Sequence, residues 1–489
     1  MSQSRVFAFG LQLFLGSAVL LSSPLAAAPP ESTSNPARID PALSELRAAG
    51  PAGLERLLVQ RDRLLKEQAE LLNQAPSQPS RPGQSRPGPS VVDSLTLQLA
   101  ALDQQIDYVG GALRTSQSRL YWYTDLQAAQ AAAQRTGKPI LHLRLLGKLT
   151  EEYSCANSRF FRSLLYSNDA ISQHLREHYI LSWQTVVNAP RITIDFGDGR
   201  TIERTITGNS IHYILASDGS VIDALPGLYG PQAFLERLKS GADWARLYHA
   251  TPVAERRTLL VRHQVEGMLA TAKQWHADLE AIGAPLARDG VLLALPQGAI
   301  NVREDASVES YLVQFGDEVA LAGALVRHLA WLDQHMTDSQ WRQISMRHAQ
   351  DAKIDDATRE RMRAERPMAP LAGRLAMTKR LVEDPMLRLV RNLEGSAALD
   401  TVRNEFALRS QIRSILAHNS ATMTRVDALN EIVYADVFLM PLNDPWLGLA
   451  PADVYTGLPE AGTRSPRAPE QRASAGDGRK PVVIAAGGR

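Results

Sequence analysis

The sequence predicts an α/β domain with a mixed sheet, flanked by an N-terminal helical hairpin and a C-terminal, mainly α-helical domain. Three observations carry this. Leucines recur at heptad spacing on both sides of a proline-rich gap between residues 42 and 117. From 121 to 243, apolar runs of strand length alternate with helix caps and Gly/Asp turns. From 245 to 460, apolar residues return mostly at helical spacing.

The N-terminus bounds the compartment. Met1 to Arg5 is a short basic stretch, Val6 to Leu21 is almost uncharged and apolar, and Ala26-Ala27-Ala28 supplies small residues at an A-x-A position. This predicts a secretory signal peptide over 1–28, cut after Ala28, and a periplasmic or secreted protein. The apolar run is shorter than the ~20 residues of a spanning helix, so no stable membrane span is expected after cleavage. Cys155 is the sole cysteine, so neither an intrachain disulfide nor a lipidated N-terminal cysteine is available. With 53 Lys+Arg against 52 Asp+Glu there is no global basic field, and no nucleic acid partner is expected.

Residues 29–41 read as a flexible leader. A helix follows over 42–74, with Leu57/Leu58, Leu64/Leu65 and Leu71/Leu72 seven apart. The Pro/Ser/Gln/Arg-rich stretch 75–90 reads as linker. A second helix is predicted over 91–117, where Leu95, Leu99, Leu102, Ile106, Val109 and Leu113 alternate four and three apart, the spacing of a coiled-coil seam. Such a stripe does not name its partner. It fits an oligomer through these helices, and it fits a hairpin packed on its own chain.

In the α/β region, Thr124-Asp125 caps a helix that runs to Arg135 and ends at Gly137. Ile140 to Leu146 is a strand. A helix starts at Cys155 and reaches Leu165, and Asn168-Asp169 caps another through His178. Tyr179 to Val187 is the next strand. Gly197-Asp198-Gly199-Arg200 turns a hairpin between Arg191–Phe196 and Thr201–Thr207, and Ser217-Asp218-Gly219-Ser220 turns a second between Ile211–Ala216 and Val221–Leu225. Gly230-Pro231 opens a helix through Lys239.

Residues 121–240, within the expected domain 121–243, resemble a thioredoxin-like domain of the exported type. The features that carry the resemblance are the helix ending in Gly137-Lys138-Pro139, the turn Cys155-Ala156-Asn157-Ser158, the run Asn168-Asp169-Ala170-Ile171 leading to Leu175-Arg176-Glu177-His178-Tyr179-Ile180, and the closing Asp218-Gly219 hairpin. It implies that the loop Asn209-Ser210-Ile211-His212 faces the thiol. The chain departs from the family at two marked positions. Ser158 stands where the second cysteine belongs, and Ser210 stands where a cis-proline belongs. The 143–154 segment is longer than usual, and the Arg191–Thr207 hairpin is an insertion.

Cys155 is the leading candidate. The unpaired N–H groups of a helix N-terminus stabilise a thiolate and lower its pKa. Arg159 and Arg162 add to this, while Glu151 and Glu152 oppose it. Ser158, one turn on, is placed to donate to the sulfur but cannot resolve a mixed disulfide. Cys155 and Ser158 are thus the catalytic candidates for one-thiol chemistry with a protein thiol partner. Asn209, Ser210 and His212 support them, His212 as base or ligand. The opposing reading is a buried structural cysteine.

His174-Leu175-Arg176-Glu177-His178 matches an inverted zincin pattern but offers no third ligand, and it also reads as a solvated helix face. No nucleophile elbow, phosphate loop or H-E-x-x-H is present, and no metal or other cofactor is expected. The helical region carries the stripes Leu321/Leu325/Leu329/Leu332 and Leu408/Ile412/Ile415/Leu416, with proline breaks at Arg366-Pro367 and Ala369-Pro370. Its His263, His276, His328, His335 and His348 show no ligand spacing. Residues 462–489 read as a disordered tail. Two functions follow: monothiol redox chemistry through Cys155, or a non-catalytic scaffold or interaction module on a redox-inactive fold.

Overall fold

Three packed helices open the described chain. The computed structural model describes residues 40–74, 91–205, 208–284, 287–288, 291–292, 295–365, 385–419, 425–450 and 455–463. The expected signal peptide, almost all of the expected leader, the expected linker 75–90, the predicted breaks at 366–370 and all but the first two residues of the expected tail 462–489 lie outside these residues.

The expected helix over 42–74 is two helices, Pro41–Ala48 and Pro51–Gln74. Gly50 turns left-handed between them at φ 68°. The chain doubles back so closely that a Cβ on Gly53 would stand 1.9 Å from the Leu46 carbonyl oxygen. The second expected helix runs Val91–Gly110 and stops short of 117, because Gly111 turns left-handed at φ 75°. Its seam residues Leu95, Leu99, Leu102, Ile106 and Val109 are buried, and the last three pack with Leu54, Leu57 and Leu58 of the same chain. An Arg61–Asp103 ion pair at 2.6 Å ties the two helices together.

The main sheet is mixed and has five strands. With β1 at Trp122–Tyr123, β2 at Ile140–Leu145, β3 at Ile180–Thr185, β4 at Arg191–Asp195, β5 at Thr201–Thr205, β6 at Ser210–Leu215 and β7 at Val221–Pro226, the order is β1-β3-β2-β6-β7. β1 and β2 run parallel to β3, while β6 is antiparallel to both β2 and β7. β4 and β5 form a separate two-stranded ribbon. β1 was not predicted; two residues are too few to show alternation, and pairing with Leu181 and Ser182 makes them a strand.

Every residue of β2, β6 and β7 is buried, so both faces of the sheet centre are covered. The local signals that position these elements are met. Asp125 accepts from Ala128 N at 2.7 Å, Gly137 closes that helix at φ 70°, and Asn168 accepts from Ile171 N at 3.1 Å.

The helix opened by Pro231 passes Lys239 and continues to Ala250, running through the expected boundary near 244. The helices Arg256–Ala281, Glu318–His335, Asp338–Arg347 and Pro385–Arg403 follow, the last continuing through a wide π-type turn at Asn404–Leu408 into Arg409–His418. Leu321, Leu325, Leu329, Ile412 and Leu416 belong to the same buried cluster as the sheet residues Leu143 and Ile214. One apolar core thus joins sheet and helices. No described helix is long and apolar enough to cross a membrane.

Candidate functional site

Cys155 follows the loop after β2. Its N–H donates to Leu146 O at 3.0 Å, and it caps the helix Ala156–Phe160. The side chain is 0% exposed. Burial pushes the thiol pKa above its ordinary value. The N–H and hydroxyl of Ser158, the Leu146 backbone and the positive charge of Arg159 pull the other way and lose. The expected activation of this thiol is therefore reversed, because desolvation outweighs the helix N-terminus.

The neighbours explain the dry setting. Ser158, also 0% exposed, lies within hydrogen-bond distance of Ser154 Oγ (2.6 Å) and Cys155 O (2.8 Å). Arg159 donates to Ser154 O at 3.2 Å and Thr205 Oγ1 at 2.7 Å. Arg162, 3% exposed, donates to Leu149 O at 2.7 Å and Glu151 O at 3.0 Å. Its pKa is lowered to about 10 by burial. Both arginines thus fasten the 149–154 loop over the turn.

The segment expected as a loop over 209–212 is mostly strand, since Ser210 to His212 open β6, and its start lies beside the Cys155 turn: Asn157 Nδ2 donates to Gly208 O and, at 3.2 Å, to Ser210 Oγ. Asn209 itself faces the C-terminal region, where its carbonyl accepts from Tyr434 OH at 3.2 Å and its Nδ2 meets Met440 Sδ at 3.6 Å. His212 is 0% exposed, with Nε2 2.6 Å from Tyr166 OH and its ring against Phe161 and Phe234 at 4.6 and 5.1 Å. Burial lowers its pKa to about 3, so it is neutral at physiological pH. Its Nδ1 has no protein partner. Tyr166 and Tyr434 are both buried and close enough to be affected by charge on Cys155, and their phenols are pushed well above the ordinary range, chiefly by burial. A concavity of about 440 Å³ on the helix Pro51–Gln74 is lined by none of these residues.

The His174 and His178 rings lie 4.5 Å apart, tilted by 40°, with Glu177 Oε2 3.9 Å from His178 Nε2. Burial and His178 lower the His174 pKa. No group of three or more His, Cys, Asp or Glu among the described residues is placed to hold a metal ion.

Sequence reasoning missed a buried ionic cluster. Asp223, on β7, is 3% exposed. Arg409 Nε and Nη2 reach its two carboxylate oxygens at 3.3 and 2.5 Å, and Arg413 Nη2 stands at 3.0 Å. Ala224 N–H donates to it at 2.8 Å, and His263 Nε2 lies 3.4 Å away. Arg409 Nη1 also grips Glu405 at 2.7 and 2.8 Å, with Arg237 3.3 Å beyond. Burial pushes the Asp223 carboxyl up, but Arg409, Arg413 and His263 override it and hold the group well below the carboxylate range. Burial, reinforced by Arg409, lowers Arg413 to about 10. The visible signal was Glu405, Arg409 and Arg413, each four apart on one helix.

No protein-family model, curated protein or solved structure matches this chain.

Proposed function

We propose that residues 121–243 form a thioredoxin-like domain that binds rather than catalyses, in an exported protein whose helical hairpin and helical domain buttress it. The single observation that carries this is Cys155: a lone thiol, 0% exposed, with its pKa raised by burial. A thiol must reach a partner as thiolate to exchange with it. Support for the fold comes from the mixed sheet, with a parallel pair joined by a crossover and a closing antiparallel hairpin, and from the helix that begins at Cys155. Support against chemistry comes from the supporting groups. Ser158 is engaged with Ser154 and the Cys155 carbonyl, and His212 is neutral and bonded to Tyr166. The expected partner is another protein, held at a surface.

The test is alkylation of Cys155 across pH in the folded protein, with Cys155→Ser as the blank. Labelling is expected to appear only on unfolding. Rapid labelling of the native state, with an apparent pKa below the ~8.5 of a free thiol, would sink the binding reading and restore monothiol redox chemistry. Export rests on Met1–Ala28. A protein recovered from the periplasm should start at Pro29, and recovery with Met1 retained in the cytoplasm would refute it.

A further inference from the structure

The ribbon β4–β5 is a sheet of only two strands, and every residue of β4 is exposed. Two strands alone are marginal in water, whereas three or more sharing an apolar face are stable. Ladder parity identifies which backbone groups of β4 are free. Phe196 N–H donates across the ribbon to Arg200 O at 3.1 Å. Backbone groups alternate sides along a strand, so Ile192 and Ile194, paired with Arg204 and Ile202, also turn theirs toward β5. Arg191, Thr193 and Asp195 therefore turn N–H and C=O outward, along an edge that no described strand pairs.

We propose that this edge pairs with the same edge of a second copy of the chain, antiparallel and centred on Thr193, making one four-stranded sheet. In that register Arg191 faces the second copy's Asp195, Ile192 faces its Ile194, and Thr193 faces its Thr193. Outward groups meet outward groups, so Arg191, Thr193 and Asp195 of each copy exchange both backbone hydrogen bonds.

Charge selects both the occupant and the register. Opposite charges and Thr–Thr pairs directly across an antiparallel ladder are favourable, and like charges are not. A slip of two residues leaves Arg191 or Asp195 facing threonine. A slip of four sets Arg191 against Arg191 or Asp195 against Asp195. Arg191 is already steadied, 3.1 Å from Glu203 and with its guanidinium 4.5 Å above the Tyr153 ring. The ribbon's apolar residues Ile192, Ile194, Phe196 and Ile202 are 43, 41, 53 and 36% exposed on one face, and pairing joins the two rows. The contact is isologous, so it closes at a dimer. Its small area makes that dimer weak and reversible.

The experiment is sedimentation velocity on the purified protein over a concentration series. The expected result is a monomer–dimer equilibrium. Thr193→Pro should abolish it, because it removes an outward N–H while leaving the ribbon's own ladder intact. Arg191→Asp and Asp195→Arg should each weaken dimerisation roughly 10-fold or more, and the double exchange should recover most of the loss. A monomer at every concentration would overturn the proposal. So would a dimer indifferent to Thr193→Pro and to both charge reversals, or single losses that the double exchange fails to recover.

Discussion

Asp223→Asn tests the buried cluster most sharply. The substitution removes one charge at nearly constant volume, at a position 3% exposed. Arg409 would keep Glu405, but Arg413 would lose the carboxylate 3.0 Å from its Nη2 while staying 5% exposed. Removing one partner of a buried, hydrogen-bonded pair costs about 3–5 kcal/mol, because the charge left behind stays desolvated. Domain stabilities run about 5–15 kcal/mol, so the effect is a large fraction of the whole. The assay is urea unfolding followed by tryptophan fluorescence, comparing the two proteins across pH.

The pH arm has a definite sign. The Asp223 carboxyl is depressed in the fold, so its contribution is present above the unfolded pKa of ~3.9 and is lost only as pH falls below that. The gap between wild type and Asp223→Asn should be constant from pH 7 to pH 5. A gap under about 1 kcal/mol at pH 7, or one that shrinks between pH 7 and pH 5, would refute the argument that this pair is charged and buried.

Two further outcomes follow from the same geometry. A Cβ on Gly267 would fall 0.9 Å from Arg413 Nη1, so Gly267→Ala should destabilise by about 1–3 kcal/mol in urea. In Gly267→Ala/Arg413→Met the two losses should sum to less than the singles, since both act at one contact. His212 and His142 are lowered to about 3 by burial. Each therefore stabilises the fold above the unfolded pKa of ~6.5, and that contribution is lost as pH falls from there toward 3. Wild-type stability should drop by about 2 kcal/mol per histidine between pH 6.5 and pH 5, and His212→Phe should flatten that slope; an unchanged slope would mean His212 is not held neutral.

What the sequence made legible was local. Asp125 and Asn168 specify caps through their side chains, Gly137 and the two Gly-containing turns specify ends and hairpins through their backbones, and the structure uses each of them. The seam from Leu95 to Val109 was also plain, but its partner was not, because an a/d stripe is satisfied equally by its own chain or another. The environment of Cys155 was illegible for a different reason. A thiol at a helix start reads as activated, whereas it lies in a buried core that gathers residues as distant as Tyr434, and burial is what raises its pKa. The same holds for Asp223, whose counter-charges stand 186 and 190 residues away. Four-residue spacing puts Arg409 and Arg413 on one helix face, but it does not say what packs against that face.

Sheet edges connect these findings. β1 and β7 end the five-stranded sheet, and an open edge invites pairing with another chain. On one side Arg47, at the end of the first helix, donates to Trp122 O at 2.6 Å and to Val109 O at 2.7 Å, binding the hairpin to β1. On the other, β7 is buried along its whole length, with Asp223 held by Arg409 and Arg413. Thr401 Oγ1 accepts from Gly230 N at 2.7 Å and Asn404 Nδ2 donates to Leu228 O at 2.7 Å, fixing the segment that follows β7. The helical regions thus close the main sheet at both ends. β4 receives no such cover. It carries apolar residues on one face and an Arg-Thr-Asp row along its free edge, and that row is self-complementary only when read antiparallel against itself. A chain that protects the edges of its larger sheet while leaving this one open has its strongest structural opportunity for association at β4, and the charge reversals at Arg191 and Asp195 decide whether it is used.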